Sequence, residues 1–159
     1  MSQSSDDRSQ KSARLVQLTV TVVFIALFSA ACSGGNVWTL EMGDCFDDWE
    51  GATSNSVSEE ITDVPIIDCS EPHDNEIYMM EELPDGDYSG DAAMEEMAIG
   101  VCYDGFEEFV GTAYENSDLD FGWLSPTSDS WAEGDREVIC FVYEYDFDKL
   151  TGSMANAGV

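Results

Sequence analysis

The sequence predicts an α+β domain: a small, mostly antiparallel sheet with one main helix over about 91–110, stapled by two disulfides. Three observations carry that expectation. Apolar residues recur at helical spacing from Asp91 to Val110, and apolar side chains fill both faces of a β-branched run at 137–145. Four cysteines, Cys45, Cys69, Cys102 and Cys140, remain once Cys32 is set aside, an even number suited to an exported disulfide framework.

The N-terminus explains why Cys32 is set aside. Residues 1–14 are polar and carry Arg8, Lys11 and Arg14, and the stretch LVQLTVTVVFIALFSAA (15–31) has no charge. It ends in Ser29-Ala30-Ala31 directly before Cys32. A basic flank, an apolar run and a small-residue exit make an export signal. A cysteine at that exit resembles a bacterial lipobox, so 1–31 reads as a signal peptide and Cys32 as the lipidated residue. The alternative is a transmembrane anchor over 15–32, at the short end of the ~20 residues that span hydrocarbon. Both readings leave the basic flank inside and the rest of the chain on the extracytoplasmic face.

Residues 32–42 read as a tether and 43–153 as the domain, with a tail over 154–159 and the whole of 151–159 expected to fray. Polar 51–60 reads as a loop. Ile61–Cys69 reads as a strand in which Pro65 marks an edge or bulge, and Glu76–Met80 as a second short strand. In the helix, Met94, Met97, Val101 or Cys102, Gly105 or Phe106, and Phe109 should face the core, with Asp91 as N-cap and Gly111 just past the end. Residues 119–124 form a strand. In 137–145, Val138, Cys140 and Val142 lie on one face, with Ile139, Phe141 and Tyr143 on the other. Three pairings of the four cysteines are open. The favoured one joins Cys45 to Cys69 across a hairpin and Cys102 to Cys140 between helix and strand.

Charge excludes whole classes of partner. Of 34 acidic and 5 basic residues, Asp6, Asp7, Arg8, Lys11 and Arg14 precede residue 32, leaving 32 acids against Arg136 and Lys149. Nucleic acid is excluded as a partner and so is bare anionic lipid, because like charge repels. The same repulsion strains the compact state unless salt screens it, and it disfavours a large homomeric interface, so a monomer is expected.

No grouping announces catalysis. His73 is the sole histidine, with no Ser or Cys motif to serve as nucleophile, and it reads as a turn cap bonded to a backbone carbonyl or a nearby carboxylate. Zinc lacks a closely spaced Cys pair, so no metal or cofactor is expected. Arg136 should pair internally with an acid such as Asp44 or Asp135. Asp85, Asp87, Ser89, Gly90 and Glu96 fall at positions 1, 3, 5, 6 and 12 of an EF-hand-like calcium loop, but Pro84 and the strand-like residues before it argue against an entering helix. Trp38, Trp49, Trp123 and Trp131, with Tyr88, Tyr103 and Tyr114, read as core aromatics, the alternative being a glycan platform.

The series GDCF (43–46), VPIIDCSEPHDNEIY (64–78), YSGDAAMEEMAIGVCYDGFEEFVG (88–111), W-x-x-GDREVIC (131–140) and LTGS (150–153) is similar to the septum formation family of short, exported, membrane-anchored domains of actinobacterial type. The resemblance implies a part in septum formation or envelope assembly and brings no catalytic activity with it. The expectation is a non-enzymatic, anchored, extracytoplasmic lipoprotein that binds cell-wall or division proteins. A calcium- or glycan-binding module and an envelope hydrolase with paired carboxylates are the alternatives.

Overall fold

A computed structural model describes residues 35–36, 39–48 and 63–159. The expected signal segment 1–31, the expected lipid site Cys32, the alternative anchor over 15–32, the expected loop 51–60, and Trp38 and Trp49 lie outside the described residues. Among the described residues no helix is long and apolar enough to cross a membrane.

The described residues form seven strands and two α-helices in chain order: β1 (Gly35–Asn36), β2 (Cys45–Phe46), β3 (Asp63–Val64), β4 (Ile66–Ile67), β5 (Asn75–Glu82), α1 (Asp91–Val110), β6 (Leu119–Leu124), α2 (Ser128–Glu133) and β7 (Glu137–Glu144). β4, β2, β5, β7 and β6 form one antiparallel sheet in that order, and β1 pairs with β3 separately. The expected strand over 61–69 is thus two strands. Pro65, which has no N–H to donate, sits at the break where β3 leaves for β1 and β4 turns to β2.

α1 spans the expected residues, but its details differ. Gly90 occupies the N-cap and Asp91 is already helical, its side chain accepting a hydrogen bond from the Tyr88 hydroxyl. The buried stripe is Met94, Ala98, Cys102, Phe106 and Val110, a strict i, i+4 row. Met97, one residue off that row, is 38% exposed. At the other end Gly111 takes the left-handed conformation (φ 84°) and returns its N–H to the Glu107 carbonyl, an ordinary glycine helix stop. α2 was not foreseen from sequence, although Thr127 and Ser130 form a reciprocal capping box at its start.

The alternation in β7 divides two cores. Val138, Cys140 and Val142 pack with Tyr78 and the buried stripe of α1. Ile139 and Phe141 face the opposite side with Leu40, Phe46, Val64 and Ile77. A bulge between Ile77 and Met79 shifts the register, so that Tyr78 and Met79 both pack toward α1. The Tyr78 hydroxyl donates to the Cys102 carbonyl at 2.6 Å, and burial pushes its pKa up. The disulfides are Cys45–Cys69 and Cys102–Cys140, the favoured pairing, with sequence separations of 24 and 38. In the chain-entropy picture, loops of that size stabilise the fold by about 4 kcal/mol each.

Two boundaries move outward. Leu40 is buried in the second core, so folded structure starts before Gly43. The segment expected to fray is docked: Gly152 donates to the Cys69 carbonyl at 2.7 Å, and Asn156 and Gly158 donate to the Phe109 and Val110 carbonyls at 2.7 and 2.9 Å. Those two carbonyls belong to the last turn of α1, which has no intrahelical donors for them. The tail supplies them.

Gly122 on β6 lies under the ring of Phe141, and a Cβ there would fall 2.4 Å from Cζ of that ring. Gly122→Val should therefore destabilise the domain by about 1–3 kcal/mol. Gly86→Ala, which would meet nothing within 4 Å, serves as the control. Urea midpoints of the two variants measure the difference.

Candidate functional site

The polar residues that a folded domain would ordinarily keep outside gather where β5 begins. His73, Asn75 and Glu76 are all buried. The His73 backbone bridges to Leu150 through paired hydrogen bonds of 3.1 and 2.9 Å. Its Nδ1 lies 2.8 Å from the Glu71 carbonyl, which can only accept, so Nδ1 carries the proton. This is the turn-capping role expected of His73. Among the described residues its buried Nε2 has no hydrogen-bond partner, and no nucleophile is bonded to the ring.

Asn75 and Glu76 point to opposite faces, as neighbours on a strand must. Asn75 donates from Nδ2 to Asp48 at 2.9 Å. Glu76 sits on the α1 side opposite Val142, only 2% exposed. Both of its oxygens are occupied by the tail: the Ser153 hydroxyl donates to Oε1 and the Met154 N–H to Oε2, each at 2.6 Å. A carboxyl group this deep is tolerated because its hydrogen bonds are complete.

One Glu76 oxygen and the sulfurs of Cys45 and Cys69 lie within 4.8 Å of one another, the one such trio of potential ligand atoms among the described residues. As a disulfide the two sulfurs offer no thiolate, which is the form that ligates metal. The residues of the calcium-like loop do not converge. Asp85 is turned to Arg136, the Gly86 carbonyl accepts from Trp131 Nε1 at 3.0 Å, and α1 has already begun at Asp91. Glu96 consequently rides in the second turn of the helix, about 7 Å along the axis from Asp91. The entering helix such a loop requires is replaced by β5.

The two cations among the described residues, Arg136 and Lys149, are both used internally. Arg136 lies 3.8 Å over the Trp131 ring and donates to the Trp131 and Asp135 carbonyls at 2.8 and 2.6 Å. Its acidic partner is Asp85 at 3.2 Å, not Asp44 or Asp135. Asp44 instead accepts from the Glu41 N–H, and Asp135 from Ser130 and the Glu137 N–H. Lys149 bridges Asp47 at 2.6 Å and Asp74 at 2.8 Å, drawing the strap after β7 onto the ends of β2 and β5. Partial burial opposes ionisation of Asp74, but the Lys149 hydrogen bond, the Asp48 N–H and the Lys149 charge outweigh it and lower its pKa. For Lys149 partial burial is likewise overcome, by Asp47 and Asp74, and its pKa rises.

Among the described residues the aromatics form no single platform. Trp131 and Tyr88 share one corner. Tyr103, Tyr114, Phe106 and Phe121 pack mostly edge-on against α1 and β6. Within that group the Tyr114 hydroxyl donates to Asp120 at 2.8 Å, a bond that with burial pushes its pKa up to about 12. Trp123 stands beside Phe121. Sequence reasoning passed over the turn after β7, where Tyr145 and Phe147 are the most exposed aromatic side chains among the described residues. The alternation Tyr-Glu-Tyr-Asp-Phe-Asp at 143–148 was the available signal.

A family model described as "septum formation" matches residues 39–143. No curated protein and no solved structure matches the chain.

Glu76→Gln keeps an acceptor for Ser153 but turns a donor toward the Met154 N–H, and should cost about 1–3 kcal/mol. Deleting 151–159 leaves both oxygens unpaired and should cost more. In a double-mutant cycle by urea unfolding the two losses should be non-additive, since they share one contact. Lys149→Met should cost less than about 1 kcal/mol at neutral pH, because the bridge is partly exposed. Asp74 has a depressed pKa, so its share of that stability is present above the ordinary carboxylate range and fades as pH falls through it. Lys149 has a raised pKa, so its share is present below its ordinary value and fades as pH climbs past it. The gap between the parent and Lys149→Met should therefore be widest from about pH 5 to 10 and narrow on either side.

Proposed function

Because the chain belongs to the septum formation family, we propose that it is a non-enzymatic accessory domain, anchored on the extracytoplasmic face of the cell membrane and binding a partner of the wall or division machinery. The family match over 39–143 carries the link to division or envelope assembly. Placement outside is supported by the basic flank and apolar run that end at Cys32, and by the two disulfides, which persist in oxidising compartments. The non-enzymatic reading is supported by the site itself. The His73 ring is committed to a turn, the buried Glu76 to the C-terminal strap, and Arg136 and Lys149 to internal ion pairs. What remains outward is an acidic surface, suited to binding.

Cell fractionation and a fluorescent fusion at the C-terminus test this together. Membrane recovery and enrichment at the septum during division are expected, and an even surface distribution through the cell cycle would remove the septal role. Mass spectrometry of the membrane-recovered protein separates the two modes of attachment: a diacylglyceryl group on an N-terminal Cys32 identifies the lipid, whereas an unmodified chain that retains 15–32 identifies an uncleaved helix.

A further inference from the structure

The sheet register brings one end of β2, β5, β7 and β6 together, with Phe46 beside Asn75, Asn75 beside Tyr143 and Tyr143 beside Asp120. From there the chain turns through Glu144-Tyr145-Asp146-Phe147-Asp148 before Lys149 pins it down. Phe147 stacks nearly parallel on Tyr143, with ring centroids 5.5 Å apart and planes 15° apart. It does so from the left-handed backbone region, at φ 62°, which glycine or asparagine occupies far more readily. Tyr145 and Phe147 are each 66% exposed. A strained turn that holds two large rings in solvent contributes little to the core, and such strain tends to mark functional positions.

The surroundings state what those rings suit. Asp48 and Asp120 flank Tyr143. Glu144, Asp146 and Asp148 alternate with the rings in the turn, and the cation there, Lys149, is already shared by Asp47 and Asp74. Aromatic faces carry negative quadrupole charge, so rings and carboxylates attract the same kind of group. An anionic partner would be repelled from both. A neutral glycan would stack on the rings and donate hydroxyls to the carboxylates, but it would leave their charge uncompensated. A guanidinium plane uses both at once, stacking on the ring and forking onto a carboxylate.

We propose that the turn Tyr143–Asp148 is a docking surface for an arginine- or lysine-rich stretch of a partner protein. This rests on the reading of the chain as a binding domain and supplies its partner class. Most of the turn lies beyond the family match, which ends at residue 143.

Fluorescence anisotropy of a labelled peptide of arginines spaced by glycines, titrated with the full chain in non-ionic detergent at about 0.15 M salt, tests it. The peptide should bind, and binding should weaken as salt rises. Phe147→Asn removes a ring while keeping a residue that tolerates the left-handed backbone. Combined with Tyr145→Ser it should weaken binding by about tenfold or more. Glu107→Gln with Glu108→Gln, on the exposed side of α1, should change it by less than about twofold. Absence of peptide binding, or unchanged affinity in the ring variant, overturns the proposal. So does an equal loss in the α1 variant, which would make the attraction a diffuse effect of net charge. Tighter binding of soluble wall glycan fragments than of the peptide would reassign the turn to sugar. Septal enrichment with dispensable rings removes this surface and leaves the family-level reading standing, while ring-dependent peptide binding without septal enrichment does the reverse.

Discussion

Much of this domain is arranged around one buried carboxyl group. Glu76 lies on the α1 side of the sheet, where a polar group without partners would be strongly unfavourable. Its two oxygens are satisfied by Ser153 and Met154, so the chain after β7 has to return across the sheet to reach them. On the way it pairs with His73, donates to the Cys69 carbonyl, and then closes the orphaned carbonyls at the end of α1. The C-terminal strap thereby links the start of β5, the Cys45–Cys69 disulfide and the helix terminus. A segment whose composition suggests fraying becomes part of the frame.

That frame works against a heavy electrostatic load. With 34 acidic residues and 5 basic ones in the chain, the surface repels itself, and the fold depends on contacts that charge does not weaken. The disulfides are such contacts, one tying the edge of the sheet and the other tying α1 to β7. The apolar cores on the two faces of β7 are another. Arg136 and Lys149 are placed as clamps across loops, and neither is left to offset the surface charge. The acidity that burdens folding is thus left outward-facing. Such a surface attracts cationic groups and repels anionic ones.

Local periodicity made much of the architecture legible. The helix over 91–110 and the strand over 119–124 could be read because each signal lies within one element and repeats. The division of β7 into two faces followed from the period of two, and the turn role of His73 from its position after Pro72. Cysteine pairing was readable to the extent that the partners sit on elements the pattern had already located. Met97 was misplaced because the expected stripe followed i, i+3 where the structure follows i, i+4, and one residue's rotation carries a side chain to the rim.

The class of fold, the main helix and the cysteine framework could be read from the chain alone. Those are properties of composition and of short repeats. Long-range contacts settled the rest: Arg136 meets Asp85, Lys149 joins Asp47 to Asp74, Glu76 is buried under Ser153, and Phe147 stands on Tyr143 at the end of the sheet. Each is a contact between residues brought together by the sheet register or by a turn. With 34 acids to choose from, the charge pattern holds no information about which one a given cation will reach. Proximity alone selects it.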